Sequence, residues 1–224
     1  MEAACKGGAL RGDIDRVRAS PRLRAPSPWS ADQTLVDATT SGLRLELRSR
    51  TIDAGGTIDI VIDAETAWLV VRGAGELELG GRALAFARRS PFDELGVAAI
   101  ASATTPFYLR ARETTELLVA RAHGATREHE PLIIGPSDVR VDPRGRGLLA
   151  DASYRHVRTY IDPENAPLAS LVVGEVINPP GRWSSYPPHH HPQPEVYHYR
   201  FEPSSVTATP STGKTSSKSG TAIR

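Results

Sequence analysis

Between residues 43 and 122 the sequence is written in short alternating runs broken by turns, and that rhythm restricts the fold more than any other feature. In LRLELRS, Leu43, Leu45 and Leu47 fall on one side of an extended chain and Arg44, Glu46 and Arg48 on the other, because successive strand residues point to opposite faces. AGGT at residues 54–57 reads as a turn, TIDIVID repeats the alternation, and AWLVVRG gives a more buried strand. GELELGGRAL reads as a hairpin, with Gly80 and Gly81 free to take the positive dihedrals of a two-residue turn. SPFDELG follows as a loop, and TPFYLRAR and TELLVARA as further strands. Strands repeating every eight to twelve residues or so, with turn signals and no long helical period, predict an antiparallel sandwich or barrel.

Composition narrows the partners. The chain has 224 residues, 39% of them hydrophobic, which suffices for a sizeable core. Its 27 basic and 26 acidic residues leave a net charge of +1, so no strong field draws nucleic acid or a membrane surface. The single Cys5 excludes an intramolecular disulfide and fits a reducing, cytoplasmic setting. The N-terminal residues lack the apolar core of a secretory signal, and LGVAAIASA is too short to span a bilayer.

Five segments follow. Residues 1–40, rich in Arg, Ala, Ser and Pro, are expected to form a disordered arm or to reflect a start assigned too early. Residues 41–122 form an N-terminal β-module. Residues 123–155 are a polar connector rich in Gly and Pro. Residues 156–203 resume β-texture in LASLVVGEVINPPGRW and in EVYHYRF. Residues 204–224 carry no strand-forming run and are expected to be disordered, or the product of a reading-frame shift.

The stretch SSYPPHHHPQPEVYHYRF, residues 184–201, holds four of the seven histidines. In an extended chain His189 and His191 present their imidazoles to one side and His190 faces away. Pro187 and Pro188 restrict the backbone just before them. After the bend at Pro192 and Pro194, Glu195 opens a strand whose one face carries Glu195, Tyr197 and Tyr199 and whose other carries Val196, His198 and Arg200. Two neutral imidazoles and one carboxylate suit a divalent ion such as zinc, manganese or iron. A solvated loop that happens to carry histidines is the competing reading. Trp183 and Tyr186 are expected to serve packing. RGRG at residues 144–147 lacks the Lys-Ser/Thr and the helix that a phosphate-binding loop needs.

GEVINPPGRWSSYPPHHHPQPEVYHYRF resembles the second module of the 5-deoxy-glucuronate isomerases of inositol catabolism, which belong to the cupin superfamily. The specific part is the run from Trp183 through Ser184, Ser185, Tyr186, Pro187 and Pro188 to His189, then His191, then Glu195. VRTYIDPENAPLASLVVGE is similar as well, and residues 43–121 have the texture of the family's first module. The resemblance implies an all-β bicupin of two antiparallel barrels and a metal held by His189, His191 and Glu195. It also implies a fourth ligand, a histidine from a later strand. No histidine follows His198, and His123, His129 and His156 lie before the motif in connectors, so the second module is expected to be incomplete.

The implied reaction is a metal-assisted aldose–ketose isomerisation of 5-deoxy-D-glucuronate to 5-dehydro-2-deoxy-D-gluconate. Glu195 and Tyr197 are the candidate catalytic groups, and Arg182 and Tyr199 the candidate contacts to the sugar acid. The expected partner is a small sugar acid, with neither nucleic acid nor membrane, and a homo-oligomer is compatible. Two alternatives stand beside the enzyme: a non-catalytic cupin that binds sugar, and an inactive truncated product.

Overall fold

The computed structural model describes residues 32–183, 193–202 and 217–223, and nearly all their regular structure is antiparallel β. The first unit contains β1 (Gln33–Val36), β2 (Leu45–Ile52), β3 (Thr57–Val61), β4 (Glu65–Leu79), β5 (Arg82–Arg88), β6 (Ala98–Ala101), β7 (Pro106–Ala111), β8 (Thr115–Ala122) and β9 (Leu132–Ile134). A four-residue helix at Ala38–Ser41 joins β1 to β2, capped by the Asp37 carboxylate, which accepts from the Thr39 and Thr40 amides. No helix among the described residues is long and apolar enough to cross a membrane.

β4 belongs to two sheets. Its first half pairs with β8 and β6, in a sheet ordered β1-β2-β8-β4-β6-β9, and its second half pairs with β5 and β7. The ladder to β8 shifts register between Val70 and Arg72, and Gly73 follows with φ +118°. A Cβ there would stand 2.6 Å from Thr115 Cα, so only glycine lets the strand turn this corner. At the predicted hairpin Leu79 pairs with Arg82 across Gly80 (φ +56°) and Gly81 (φ +77°), as a turn with two positive φ angles requires.

Trp68, Leu77, Phe86, Phe107, Leu109 and Leu117 fill the space between the two layers. The Trp68 and Phe107 rings stack with centroids 4.1 Å apart. The opposite side of the β1-β2-β8-β4-β6-β9 sheet is buried too, by the second unit. Leu47, Leu69, Ile100 and Leu118 share one core with Tyr160, Ile161, Leu171, Val173 and Val196. Burial on both faces explains why AWLVVRG, AAIA and ELLVA lose the polar alternation of their neighbours.

The second unit opens with a 3-10 turn at Pro136–Asp138 and continues with β10 (Arg140–Arg144), β11 (Arg155–Ile161), β12 (Val173–Asn178), β13 (Val196–Glu202) and β14 (Ser217–Ile223). They form one sheet ordered β10-β11-β12-β14-β13. Register fixes its faces. Arg158 pairs with Glu175 and Tyr160 joins the shared core, so His156, Arg158, Tyr160, Val173, Glu175, Val196, His198 and Arg200 lie on the inner face, against the first unit. Arg155, Val157, Gly174, Val176, Tyr197 and Tyr199 lie on the outer face.

The predicted segment boundaries need three corrections. Residues 33–36, placed in the arm, form a strand because they alternate well enough to pair with the edge of β2. The 123–155 connector contributes β9 to the first sheet and β10 to the second, both as short edge strands that give little periodic signal. The tail expected to lack strands supplies β14, whose polar residues pair through their backbones with both β12 and β13. Residues 1–31 and 203–216 lie outside the described residues.

Candidate functional site

The two units are joined by a buried polar knot. Glu175, 2% exposed, accepts from Arg88 Nη1 and Nη2 at 3.0 and 2.8 Å, from Arg158 Nη1 at 3.4 Å and from Tyr160 Oη at 2.9 Å. The loop read as SPFDELG completes it. Pro91 O accepts from Arg158 at 2.6 Å, Glu94 O from Arg88 at 3.0 Å, and the Gly96 amide donates to Tyr160 Oη at 2.9 Å. Burial and the Glu175 carboxylate push the Tyr160 phenol well above its ordinary range, so it remains a donor. Two further ties cross the same boundary. Glu65 accepts from the Ser170 and Leu171 amides at 2.8 and 2.9 Å, and buried Glu116 accepts from Arg200 Nη1 at 2.7 Å. The knot therefore fixes β11, β12 and β13, which carry the candidate site on their other side.

Glu195 stands directly before β13 and is half-buried. The Tyr197 and Tyr199 rings stack with centroids 5.9 Å apart and an interplanar angle of 17°. Burial and the nearby Glu195 charge raise the Tyr199 phenol. The three groups thus keep company on the outer face, as the alternation predicted. His198 lies on the inner face, where burial and the Arg200 guanidinium depress its imidazole to about 4, so it is neutral at physiological pH. His189 and His191 lie outside the described residues. Among the described residues no three His, Cys, Asp or Glu side chains gather around a common point. Glu195 fits an oxygen donor to a divalent ion in two respects: its face and its adjacency to the histidine stretch.

Arg182 is engaged with the backbone, its Nη1 donating to Ala150 O at 2.9 Å. The next residue strengthens the tie, since the Trp183 amide donates to Ala152 O at 2.7 Å. Together they strap the loop before β11 to the approach of the histidine stretch. Trp183, predicted to pack, is 70% exposed, because its backbone rather than its ring makes the attachment. His156 is corrected from connector to strand: it lies in β11, with Nε2 3.2 Å from Tyr154 Oη. His129 Nε2 stands 3.7 Å from buried Glu65, and His123 Nε2 3.4 Å from Glu46. A cleft of about 520 Å³ opens between the units, lined by Leu43, Ala122, His123, Leu171 and Pro194 among others, mostly apolar.

Sequence reasoning passed over Arg155. It lies on the outer face of β11 and is 9% exposed. Burial pulls its guanidinium below the usual range, with Arg144 adding to the effect and Tyr197 and Asp142 opposing it. The available signal was parity: in RHVRTYI, Arg155 and Arg158 fall on opposite faces of one strand, so a single counter-ion cannot serve both.

Comparisons with known proteins agree with this architecture. The profile of the KduI/IolB family matches residues 32–220. A protein of Geobacillus thermodenitrificans named 5-deoxy-glucuronate isomerase is 37% identical over 95 residues, 42% of this chain and 32% of that protein. One of the same name from Geobacillus kaustophilus is 44% identical over 69 residues, 31% of this chain and 23% of that protein. The matched part thus spans about a third or less of these relatives. The crystal structure of an IolB-like protein from Salmonella typhimurium superposes with a TM-score of 0.66 at 21% identity, covering 87% of each chain, which shows a shared fold.

Proposed function

The chain belongs to the KduI/IolB family, and from that premise we propose that it is a sugar-acid isomerase that interconverts the aldose 5-deoxy-D-glucuronate and the ketose 5-dehydro-2-deoxy-D-gluconate. The observation that carries this reading is the outer face of the second sheet. There Glu195, Tyr197 and Tyr199 stand together on a frame clamped from behind by the Glu175 knot. The names of the two Geobacillus relatives support the substrate.

His189, His191 and Glu195 would hold a divalent ion. When bound, it supplies Lewis-acid polarisation of the sugar carbonyl. The isomerisation moves one proton between adjacent carbons and one between their oxygens, with no net change in oxidation state. Tyr197 and Tyr199 would donate hydrogen bonds to the sugar oxygens. The raised Tyr199 phenol keeps its proton at neutral pH, so it donates rather than acts as a base. Glu195 contributes negative charge at one end of this face.

The test is turnover of 5-deoxy-D-glucuronate by the full chain, with and without added zinc, manganese or iron, followed by NMR of the sugar. Formation of the ketose, abolished by a chelator and restored by one of the metals, supports the proposal. A chain that binds metal stoichiometrically and leaves the sugar unchanged overturns it.

A further inference from the structure

Three buried arginines line the second sheet and its seam, and two are fully provided for. Arg88 and Arg158 share Glu175 and are roofed by the carbonyls of Val70, Pro91, Phe92 and Glu94. Arg155 is not. Its one hydrogen bond among the described residues runs from Nη1 to Ser153 O at 2.9 Å. No carboxylate among the described residues pairs with it. The acid nearest along the sheet, Asp142, is held by Arg144 Nε at 2.6 Å. The edge of the guanidinium formed by Nε and Nη2 makes no hydrogen bond among the described residues and is not sealed from solvent, although the residue as a whole is only 9% exposed. Asp142 offsets part of its charge from a distance but is itself engaged by Arg144, so the fork of Arg155 meets no carboxylate directly among the described residues.

We propose that Arg155 is the carboxylate anchor of the outer face: its free Nε–Nη2 edge grips the acid group of a sugar acid lying across β12 and β14 towards Tyr197. Geometry supports this in three ways. Arg155 and Tyr197 occupy one face of the sheet, and the guanidinium lies within electrostatic reach of the Tyr197 hydroxyl. Between them run β12 and β14, and on β12 Gly174, in register with Tyr197 through Ala222, has no side chain to fill the space at that end. The base of Arg155 is held still, because Ser153 belongs to the loop strapped to Arg182 and Trp183. A planar fork with two parallel donors matches a carboxylate and rejects a neutral hydroxymethyl group. Arg182, the contact expected from sequence, thereby takes a supporting role: it positions the loop that positions Arg155.

This proposal deepens the isomerase reading and rests on it for the nature of the sugar. Calorimetric titration of the full chain with D-glucuronate and, in parallel, with neutral D-glucose tests it without turnover. Glucuronate is expected to bind at least about tenfold more tightly than glucose, Arg155→Gln to erase that difference, and Arg155→Lys to restore part of it. A wild-type chain that does not favour glucuronate, or an Arg155→Gln chain within about twofold of wild type for it, overturns the proposal. Should the Gln variant misfold, phenylglyoxal mapping of the wild-type chain decides. Shielding of Arg155 by glucuronate and not by glucose supports the anchor, and equal modification with either sugar overturns it. Selective glucuronate binding through Arg155 with no turnover of 5-deoxy-D-glucuronate would keep the anchor and remove the isomerase; turnover with no dependence on Arg155 would do the reverse.

Discussion

The two units solve the problem of burial differently. The first closes on itself: β4 turns a corner at Gly73, serves both layers, and encloses a core of its own around Trp68 and Phe107. The second, among the described residues, is a single five-stranded sheet, and the core on its inner face is shared with the first unit. One unit is therefore a foundation and the other a working surface laid on it. Division of labour follows, since the residues proposed to address a ligand stand on the sheet that need not bury both faces by itself.

If that contrast is right, cutting the seam should cost the second unit more than the first. Glu175→Leu would leave Arg88 and Arg158 buried around an apolar group, a loss of about 3–5 kcal/mol. Denaturant unfolding of this variant should split into two transitions, an early one reported by amide exchange in residues 155–161 and 173–178. A single late transition at the wild-type midpoint would contradict the seam's importance.

Two adjacent leucines of β8 sharpen the comparison. Leu117 points into the first unit's own core and Leu118 into the shared one, both almost fully buried. Each change to alanine should cost about 2–5 kcal/mol, transfer and cavity together. Their exchange patterns should differ. Leu118→Ala should loosen β11, β12 and β13 selectively, whereas Leu117→Ala should loosen the first unit and with it everything that rests on it.

The sequence made the first unit legible because its strands obey period-2 alternation and its hairpin carries two glycines, and both signals are local. It also made the faces of β13 legible, placing Glu195, Tyr197 and Tyr199 apart from Val196, His198 and Arg200. What it concealed depends on tertiary pairing. Nothing local distinguishes the buried Arg88 from its exposed neighbour Arg89, or tells that Glu65 and Glu175 would meet donors from distant residues. The edge strands β9 and β10 are too short to show a period, β10 is mostly polar besides, and the pairing of β14 is carried by its backbone. Arg155 was only half legible: parity separates it from Arg158, but which carboxylates reach it is decided by tertiary pairing. His189 and His191 lie outside the described residues, so their part in a metal site remains a proposal.

Acid should act on the seam through His198. Its folded value of about 4 lies below the ordinary 6.5, so between those limits the unfolded chain binds a proton that the folded chain refuses. Stability is then full above pH 6.5 and falls as pH drops towards 4, by up to about 3 kcal/mol. Urea midpoints measured across this range should decline for the wild-type chain, and His198→Gln should flatten the decline by about one proton's worth. An unchanged slope in the variant would place the acid sensitivity elsewhere.

The smallest effect expected at the seam comes from one oxygen. Tyr160 Oη accepts from the Gly96 amide at 2.9 Å and donates to Glu175 at 2.9 Å, bridging the two units. Tyr160→Phe keeps the ring in the shared core and removes only the bridge, leaving a buried amide without its acceptor. The loss should be about 1–2 kcal/mol, because Glu175 retains both arginines as donors. In a double-mutant cycle with Glu175→Gln the two losses should not add, since both break the same contact. Strict additivity would mean that the hydroxyl serves the first unit through Gly96 alone, and that the knot is an arginine–carboxylate clamp to which the tyrosine contributes only its ring.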